Sequence, residues 1–464
     1  MGNYIQRYDV YKKNESIIYF DTFKSMLKKI INSDLVRSSS VSLLIQSIGS
    51  LSALIVQILL ARLLGAVEFG DYVLIIAWAR TLTIFGVMGA DIASVKYVAT
   101  YSNNKISHNL MSYVSWVINF IKIKITVTIS VLLFVLMLIY FMAGLRAELL
   151  LSLLIASPLL FILPFIQTYA GILRGFGDIT SALLLQRVLY PVVILTVLSV
   201  FYLLAQQLSL VTVITINILS GILTVFFYRK KVLGKLRQYV GTAEVLREEN
   251  KWQDTAYNLA ISGGSQVFFK QSDILLVGLM FGSIEAGVYA VASRIIGVLR
   301  LGLTSINLAV SHKFSEYFSS NQHNSLQRLA TRSAILIVVT IVPLIIISLV
   351  WAGPLLSIFG EHYVNGILIL KILLVGEVFN ALSGPNGVLM NMSNQQKTMA
   401  KISVWNLSIG LLLMIILGYF YHLAGIAIAI IISGTIRNII INIHLWKVLK
   451  INTTLVPYHL FLEK

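Results

Sequence analysis

The chain has 464 residues, of which 57% are hydrophobic and 12% charged, and its formal net charge is +17. A soluble domain is roughly 45–50% apolar and about 25% charged, so this composition excludes a soluble protein of this length. The absence of cysteine excludes a disulfide framework, a thiolate metal site and a cysteine nucleophile.

Runs of about 20 apolar residues predict membrane-spanning helices. The first 36 residues carry lysines but no apolar core of the signal-peptide kind, so we expect no cleaved signal. The sequence therefore predicts an all-α integral membrane protein with about twelve transmembrane helices. In chain order, the predicted spans are 38–63, 71–97, 113–142, 147–173, 180–203, 208–228, 255–281, 286–310, 331–352, 366–391, 399–419 and 423–446.

The connections between these spans alternate between basic and nearly uncharged. Of the 36 Lys and Arg residues, 26 fall in the two tails and in every second connection, which are 96–108, 174–187, 229–254, 311–332 and 392–401. The intervening short connections contain Arg62 and Arg146. Because Lys and Arg concentrate in cytoplasmic loops, both termini are predicted to be cytoplasmic. The net charge is thus a signal of topology, and we expect no nucleic-acid partner.

Short motifs recur between the two halves of the chain. GAVEFGDY at 65–72 matches GSIEAGVY at 282–289 with an offset of 217, and two further pairs, 58–64 with 274–280 and 171–177 with 387–393, match with an offset of 216. The pattern indicates a duplication of six spans in the same orientation, a design in which the substrate path lies between the halves. The repeated glycines allow tight turns, and Glu68 and Glu285 are expected to cap helix N-termini.

The repeat predicts two helical domains and three flanking segments. These are a cytoplasmic tail (1–36), a six-helix bundle (37–228), a cytoplasmic linker (229–254), a second six-helix bundle (255–447) and a cytoplasmic tail (448–464).

Several charged residues fall inside the predicted spans. A charge at mid-bilayer costs at least about 2.5–3.5 kcal/mol, so these side chains should face a bundle interior or a water-filled cavity. Lys270 and Asp273 are three residues apart and can pair. The deeper basic residues are Arg80, Lys270, Arg294, Arg300 and Lys371, and the acidic ones are Asp91, Asp273 and Glu377.

Arg294 and Arg300 lie in one span with no acidic residue between them. Two unpaired arginines there favour a cationic cavity, and the alternative is that they pair with Asp91 or Glu377 across helices. The planar guanidinium suits phosphate because it donates two parallel hydrogen bonds. We therefore expect the five basic residues to bind an anionic cargo that carries phosphate or pyrophosphate, and the three acidic residues to serve in ion coupling or ion pairs.

Motifs for other kinds of chemistry are missing from the sequence. It contains no GxxxxGK[ST], HExxH or GxSxG, and its seven histidines have no metal-ligand spacing. We expect no catalytic residues, metal or cofactor, and the chain is predicted to be a secondary transporter that uses H⁺ or Na⁺ coupling, if any.

ARLLGAVEFGDY (61–72) followed by MGADIASVKYVA (88–99) resembles the Wzx-type polysaccharide flippases of the multidrug/oligosaccharidyl-lipid/polysaccharide (MOP) superfamily. SDILLVGLMFG (272–282) and AGVYAVASR (286–294) agree with the same family pattern. The resemblance implies a V-shaped, MATE-like pair of six-helix bundles in the bacterial inner membrane. It also implies ion-coupled transfer of undecaprenyl-pyrophosphate-linked oligosaccharide, such as O-antigen of lipopolysaccharide, with a polymerase and chain-length proteins as possible partners.

Two other functions are open at this point. A multidrug extruder of the same superfamily would favour unpaired acids over unpaired arginines, since its cargo is usually cationic. A membrane-embedded polymerase or glycosyltransferase would be expected to have a sizeable extramembrane loop, and the outer connections of this chain are short.

Overall fold

The computed structural model describes residues 34–103, 107–143, 154, 156–204, 208–239 and 249–454. These residues form helices and short connections, and no strand occurs among them. Residues 1–33 of the predicted N-terminal tail, 240–248 of the predicted linker and 455–464 of the predicted C-terminal tail lie outside the described residues.

Among the described residues, the first half of the chain forms seven α-helices and one π-helix. In order they are α1 (Asp34–Val87), α2 (Ala90–Asn103), α3 (Ser107–Ala143), α4 (Leu159–Gly175), α5 (Ile179–Leu183), a π-helix (Leu184–Leu189), α6 (Tyr190–Leu203) and α7 (Leu210–Leu236).

Between residues 249 and 454 the second half forms seven more α-helices and a short 3₁₀ segment. They are α8 (Glu249–Phe281), α9 (Ser283–Ser319), α10 (His323–Val350), α11 (Ala352–Ser357), a 3₁₀-helix (Glu361–Gly366), α12 (Ile367–Leu382), α13 (Asn386–Met392) and α14 (Gln396–Leu449). Helix α7 and helix α8 extend into both ends of the predicted linker.

The predicted all-α membrane fold is confirmed, and the predicted spans fall mainly on these helices. Eight helical segments of the described residues are long and apolar enough to cross a membrane. That number is smaller than twelve partly because α1 and α14 each carry two predicted spans, separated by kinks at Gly65 and at Tyr421–His422.

The backbone repeats at the same offset as the sequence motif. Gly65 (φ 73°, ψ 179°) interrupts α1, and Gly282 (φ 95°, ψ −179°) separates α8 from α9 in nearly the same conformation. Positive φ of this kind favours glycine, which has no Cβ. Gly177 and Asn394, also 217 residues apart, both have positive φ just after a helix ends. The duplicated sequence thus folds into duplicated turns.

The two halves of the chain contact each other at the repeated motifs 65–72 and 282–289. A Cβ at Gly70 would overlap the carbonyl oxygen of Ser283, so the backbones touch there directly. The rings of Phe69 and Tyr363 pack edge to face with centroids 5.7 Å apart. Arg62 Nε donates a hydrogen bond of 2.7 Å to the carbonyl of Ile358. We call this contact zone the motif seam.

Helix α8 connects the halves at the opposite end. Trp252 is buried and donates from Nε1 to the Tyr101 hydroxyl at 3.0 Å, while the Tyr97 and Thr255 hydroxyls lie 2.8 Å apart. Farther along α8, Phe269 packs against Gly410 of α14. The beginning of α8 therefore packs on the first half, and its later turns contact both halves, with Gly278 against Leu74 of α1 and Phe269 against Gly410 of α14.

Candidate functional site

Basic side chains are exposed in the middle of apolar helices. Arg80 of α1, Lys270 of α8 and Arg300 of α9 are exposed, and Arg300 retains 51% of its side-chain accessibility. Lipid would destabilise such charges strongly, whereas a water-filled cavity hydrates them. Their exposure therefore indicates a hydrated cavity between the spans.

Electrostatic interactions connect these residues into one group. Arg80 is close enough to interact electrostatically with both Arg294 and Arg187. Lys270 lies within range of Arg187, Arg300 and Arg437. Arg174 extends the group through Arg187. We call this set the cationic array, and its members are Arg80, Arg174, Arg187, Lys270, Arg294, Arg300 and Arg437. Because Arg80, Arg174 and Arg187 belong to the first half and the rest to the second, the array lies between the two halves.

Arg300 forms an ion pair with Glu377 of α12. Its Nε donates to Glu377 Oε1 at 2.8 Å, and its Nη2 donates to the same oxygen. Asn380 Nδ2 donates to the other oxygen at 3.2 Å. The expectation that Arg300 is unpaired is therefore wrong, because the buried carboxylate of Glu377 fixes one edge of its guanidinium. The remaining N–H groups of that guanidinium face the cavity.

Arg437 of α14 joins the same polar network. Its Nη2 donates to Asn438 Oδ1 at 3.3 Å, and Asn438 Nδ2 donates to Asn380 Oδ1 at 3.3 Å. The Nε of Arg437 is buried and has no hydrogen-bond acceptor among the described residues. A buried donor without an acceptor is costly, so this N–H is suited to a bound anion.

Arg294 has no hydrogen-bond or ion-pair partner among the described side chains, in agreement with the sequence analysis. Asp273 of α8 lies within electrostatic range of Arg294 and of Arg300. Its Oδ1 accepts a 2.8 Å hydrogen bond from the backbone N–H of Ile274. Lys270 and Asp273, whose spacing allows an ion pair, form none among the described residues, and Lys270 is exposed.

Asp91 and Lys371 lie apart from the centre of the array. Asp91 begins α2 and interacts electrostatically with Arg174 in the first half. Lys371 is exposed in the second turn of α12, and no described contact links it to the other basic residues.

Uncharged polar side chains border the array on the first half. The hydroxyls of Tyr72 and Tyr190 both donate to Asn217 Oδ1, at 3.4 and 3.1 Å. Tyr72 lies within electrostatic range of Arg80 and Arg294. These hydroxyl groups connect α1, α6 and α7 beside the basic residues.

Sequence reasoning missed several members of this site. Arg174 and Arg187 were assigned to a cytoplasmic connection, although Arg187 also falls inside the predicted span 180–203. Arg437 was not among the deeper basic residues that the sequence predicted for the cavity. No sequence signal identified Tyr72, Tyr190 and Asn217, since isolated polar residues are common in membrane helices. Glu68 does cap a helix, but that helix is α7 and not the one that follows Glu68 in the chain: its carboxylate accepts a 2.7 Å hydrogen bond from the N–H of Leu210.

Family comparisons place the chain among polysaccharide-pathway proteins. A family model described as polysaccharide biosynthesis protein matches residues 35–318, and one described as MatE matches residues 259–420. No curated protein matches the chain.

Solved structures with the same fold are membrane transporters. A multidrug resistance MATE family transporter of the MOP superfamily, in an inward-facing conformation, has a TM-score of 0.70 at 17% identity and covers 89% of this chain and 98% of its own. A MATE transporter from Vibrio cholerae has a TM-score of 0.63 at 14% identity, covering 90% and 98%.

A third structure differs in the description of its pocket. It is a MOP superfamily transporter from Pyrococcus furiosus, described as having a binding pocket of reverse polarity that suggests a different function. Its TM-score is 0.61 at 18% identity, and it covers 91% of this chain and 97% of its own. The matching family model spans more than half of the chain, and the fold is that of these transporters. The chain therefore belongs to the polysaccharide biosynthesis protein family, and its fold is that of the MATE family transporters.

Proposed function

We propose that this protein translocates undecaprenyl-pyrophosphate-linked oligosaccharide repeat units, of O-antigen or a related surface polysaccharide, across the bacterial inner membrane. The observation that most supports this proposal is the cationic array, which has members on both halves of the transporter. A diphosphate group bound between the halves would contact both of them, so its release would follow when they move apart.

The balance of charge supports an anionic cargo. Seven basic residues of the array lie with three acidic ones, Asp91, Asp273 and Glu377, so positive charge remains after internal pairing. A cavity of one sign of charge concentrates ligands of the opposite sign. A cationic drug would meet net repulsion here, which disfavours the multidrug extruder.

Unused hydrogen-bond donors support a phosphate ligand in particular. Arg294 is unpaired, Arg437 has a buried N–H without an acceptor, and Arg300 offers the edge of its guanidinium that Glu377 leaves free. Arginine N–H groups bind phosphate oxygens with good geometry and strong, charge-assisted hydrogen bonds.

Asp273 and Asp91 are the residues that we propose for H⁺ or Na⁺ coupling, since the Arg300 guanidinium already neutralises Glu377. Asp273 interacts with two arginines of the array. A cation bound at this carboxylate would reinforce the local positive charge and so link ion occupancy to binding of the anionic cargo.

Deletion of the gene in its native host tests the substrate. We expect loss of surface polysaccharide, together with undecaprenyl-linked repeat units that accumulate on the cytoplasmic leaflet, and restoration of both by the wild-type chain. Intact polysaccharide combined with increased sensitivity to cationic drugs would overturn the proposal in favour of the extruder.

A further inference from the structure

A second basic site lies away from the cationic array, where α7 ends. There the side chains of Lys230, Lys231 and Lys235 line a pocket together with Leu184, Leu185 and Phe227. Its volume of about 560 Å³ lies in the ordinary range for small-molecule sites. The pocket combines an apolar wall with a lysine rim, and no described acidic residue lines it.

The position of this pocket is set by the sequence of α7. From Leu210 to Phe227 that helix is apolar, and several of its side chains, including Leu219, Ile222 and Phe226, are exposed where lipid would cover them. The basic run that begins at Arg229 follows immediately. The pocket therefore lies at the level where acyl chains give way to lipid headgroups.

We propose that this pocket binds an anionic glycerophospholipid of the surrounding bilayer. Its phosphate would contact the three lysine ammonium groups, and the first carbons of its chains would pack on Leu184, Leu185 and Phe227. Basic pockets between membrane helices at the headgroup level select anionic lipids in this way. The inference depends on the pocket alone and is independent of the cargo proposed above.

The same pocket is connected to the transport cavity through the π-helix Leu184–Leu189. Leu184 and Leu185 form the pocket wall, and Arg187, within the same turn, belongs to the cationic array. π-helical turns are wide, and they occur frequently at functional sites. A lipid that supports this turn from outside would also stabilise the position of Arg187.

Native mass spectrometry of the detergent-purified full chain, titrated with phosphatidylglycerol or phosphatidylcholine, tests the proposal. One variant carries Lys230→Gln, Lys231→Gln and Lys235→Gln. Its matched control, Lys397→Gln with Lys401→Gln and Lys447→Gln, removes three exposed lysines elsewhere. A second variant, Gly234→Leu, places a larger side chain in the pocket and leaves the three lysines in place. The leucine can be accommodated because a Cβ at Gly234 meets no neighbouring atom.

We expect phosphatidylglycerol to bind the wild type and the control more tightly than phosphatidylcholine does. The pocket variant should lose roughly 10- to 100-fold in phosphatidylglycerol affinity, since each lysine near the surface contributes about 1 kcal/mol, and Gly234→Leu should also weaken binding. Equal affinity in the pocket variant and the control would overturn the proposal. Full displacement of the lipid by millimolar inorganic phosphate would overturn it as well, because the apolar wall would then contribute nothing.

Discussion

Arg294 and Arg300 lie on one helix but have different surroundings. Arg300 is held by Glu377, whereas Arg294 has no hydrogen-bond or ion-pair partner among the described residues. A guanidinium held by an ion pair can orient a ligand, whereas one without a partner can change its conformation as the ligand moves. Both properties suit the proposed function, in which the same anion is bound and then released.

Arg294→Ala should impair transport because it removes an unpaired guanidinium from the array. We expect a roughly 10- to 100-fold loss of transport rate, equivalent to a charged hydrogen bond worth about 1.5–3 kcal/mol. Arg294→Lys should retain more activity than alanine but less than wild type, since an ammonium cannot donate two parallel bonds. The measurement is surface polysaccharide in the complemented deletion strain. Arg328→Ala, at an exposed arginine of α10, serves as control, and normal polysaccharide in Arg294→Ala would contradict the prediction.

Glu377→Gln should impair transport although no charge that faces the cargo is removed. The substitution weakens the anchor of the Arg300 guanidinium, so that side chain loses its fixed orientation. If the two residues act as one unit, Arg300→Ala combined with Glu377→Gln should be hardly worse than either single change, which a double-mutant cycle of transport rates measures. Additive losses would show that they act independently.

At the residue scale the sequence predicted which basic residues lie within the spans better than it predicted their contacts. Scarcity of charge in membrane spans identified Arg80, Lys270, Arg294 and Arg300, because the cost of burial makes each such residue informative. The Arg300–Glu377 pair lies between residues 77 positions apart. Such a contact depends on how α9 packs on α12, which no local pattern determines.

At the scale of elements, α8 is attached to both halves. Aromatic residues of α2 and α3 surround Trp252 at its beginning, with the rings of Tyr113 and Trp252 packed edge to face at 5.3 Å. Its later turns pack on α14. Any change in the relative position of the halves must therefore bend α8 or shift it.

Trp252→Ala should destabilise the protein by removing a fully buried side chain. Large-to-small changes of this kind cost about 3–5 kcal/mol, so the thermal unfolding midpoint in detergent should fall clearly. Trp252→Phe keeps an aromatic ring and loses the hydrogen bond to Tyr101, which should cost about 0.5–1.5 kcal/mol. Trp405→Ala, at a tryptophan that is 68% exposed, should leave the midpoint unchanged. A Trp252→Ala midpoint equal to that of Trp405→Ala would contradict the prediction.

The helices themselves were predictable, since apolar runs of sufficient length have few alternatives in a bilayer. The breaks at Gly65 and at Tyr421–His422 also fall where the sequence places them, between the predicted spans 38–63 and 71–97 and between 399–419 and 423–446. The π-helix was not predictable, because hydropathy reports only where a segment is apolar. The π-turn leaves no mark in the apolar pattern of 180–203.

At the scale of the whole molecule, the motif seam should control opening of the cavity at that end. Phe69→Cys with Tyr363→Cys places two thiols where two rings now touch, in a chain without natural cysteines. A short bifunctional thiol reagent should connect them and stop transport, and a reductant should restore it if the linker contains disulfides. Each single cysteine is the control, and unchanged transport after complete cross-linking would contradict this role of the seam.

Single cysteines also test the predicted topology. Ser320→Cys lies in a connection of the basic set, and Tyr421→Cys lies at the kink of α14, in the other set. A membrane-impermeant maleimide added outside intact spheroplasts should label position 421 and leave position 320 unmodified until the membrane is opened. The reverse pattern, or labelling of both positions from outside, would contradict cytoplasmic termini.

The direct backbone contact at Gly70 and Ser283 has a consequence for the energetics of the cell. When only side chains close the contact between the two halves, changes of rotamer open transient gaps. Water and ions can pass through such gaps. Main chains in contact leave no such space, so a wide hydrated cavity on one side need not conduct protons through the membrane. Each elementary charge that leaks dissipates about 2.3 kcal/mol per 100 mV of membrane potential. A carrier for bulky cargo built with this seam can therefore open widely on one side while the membrane stays electrically insulated.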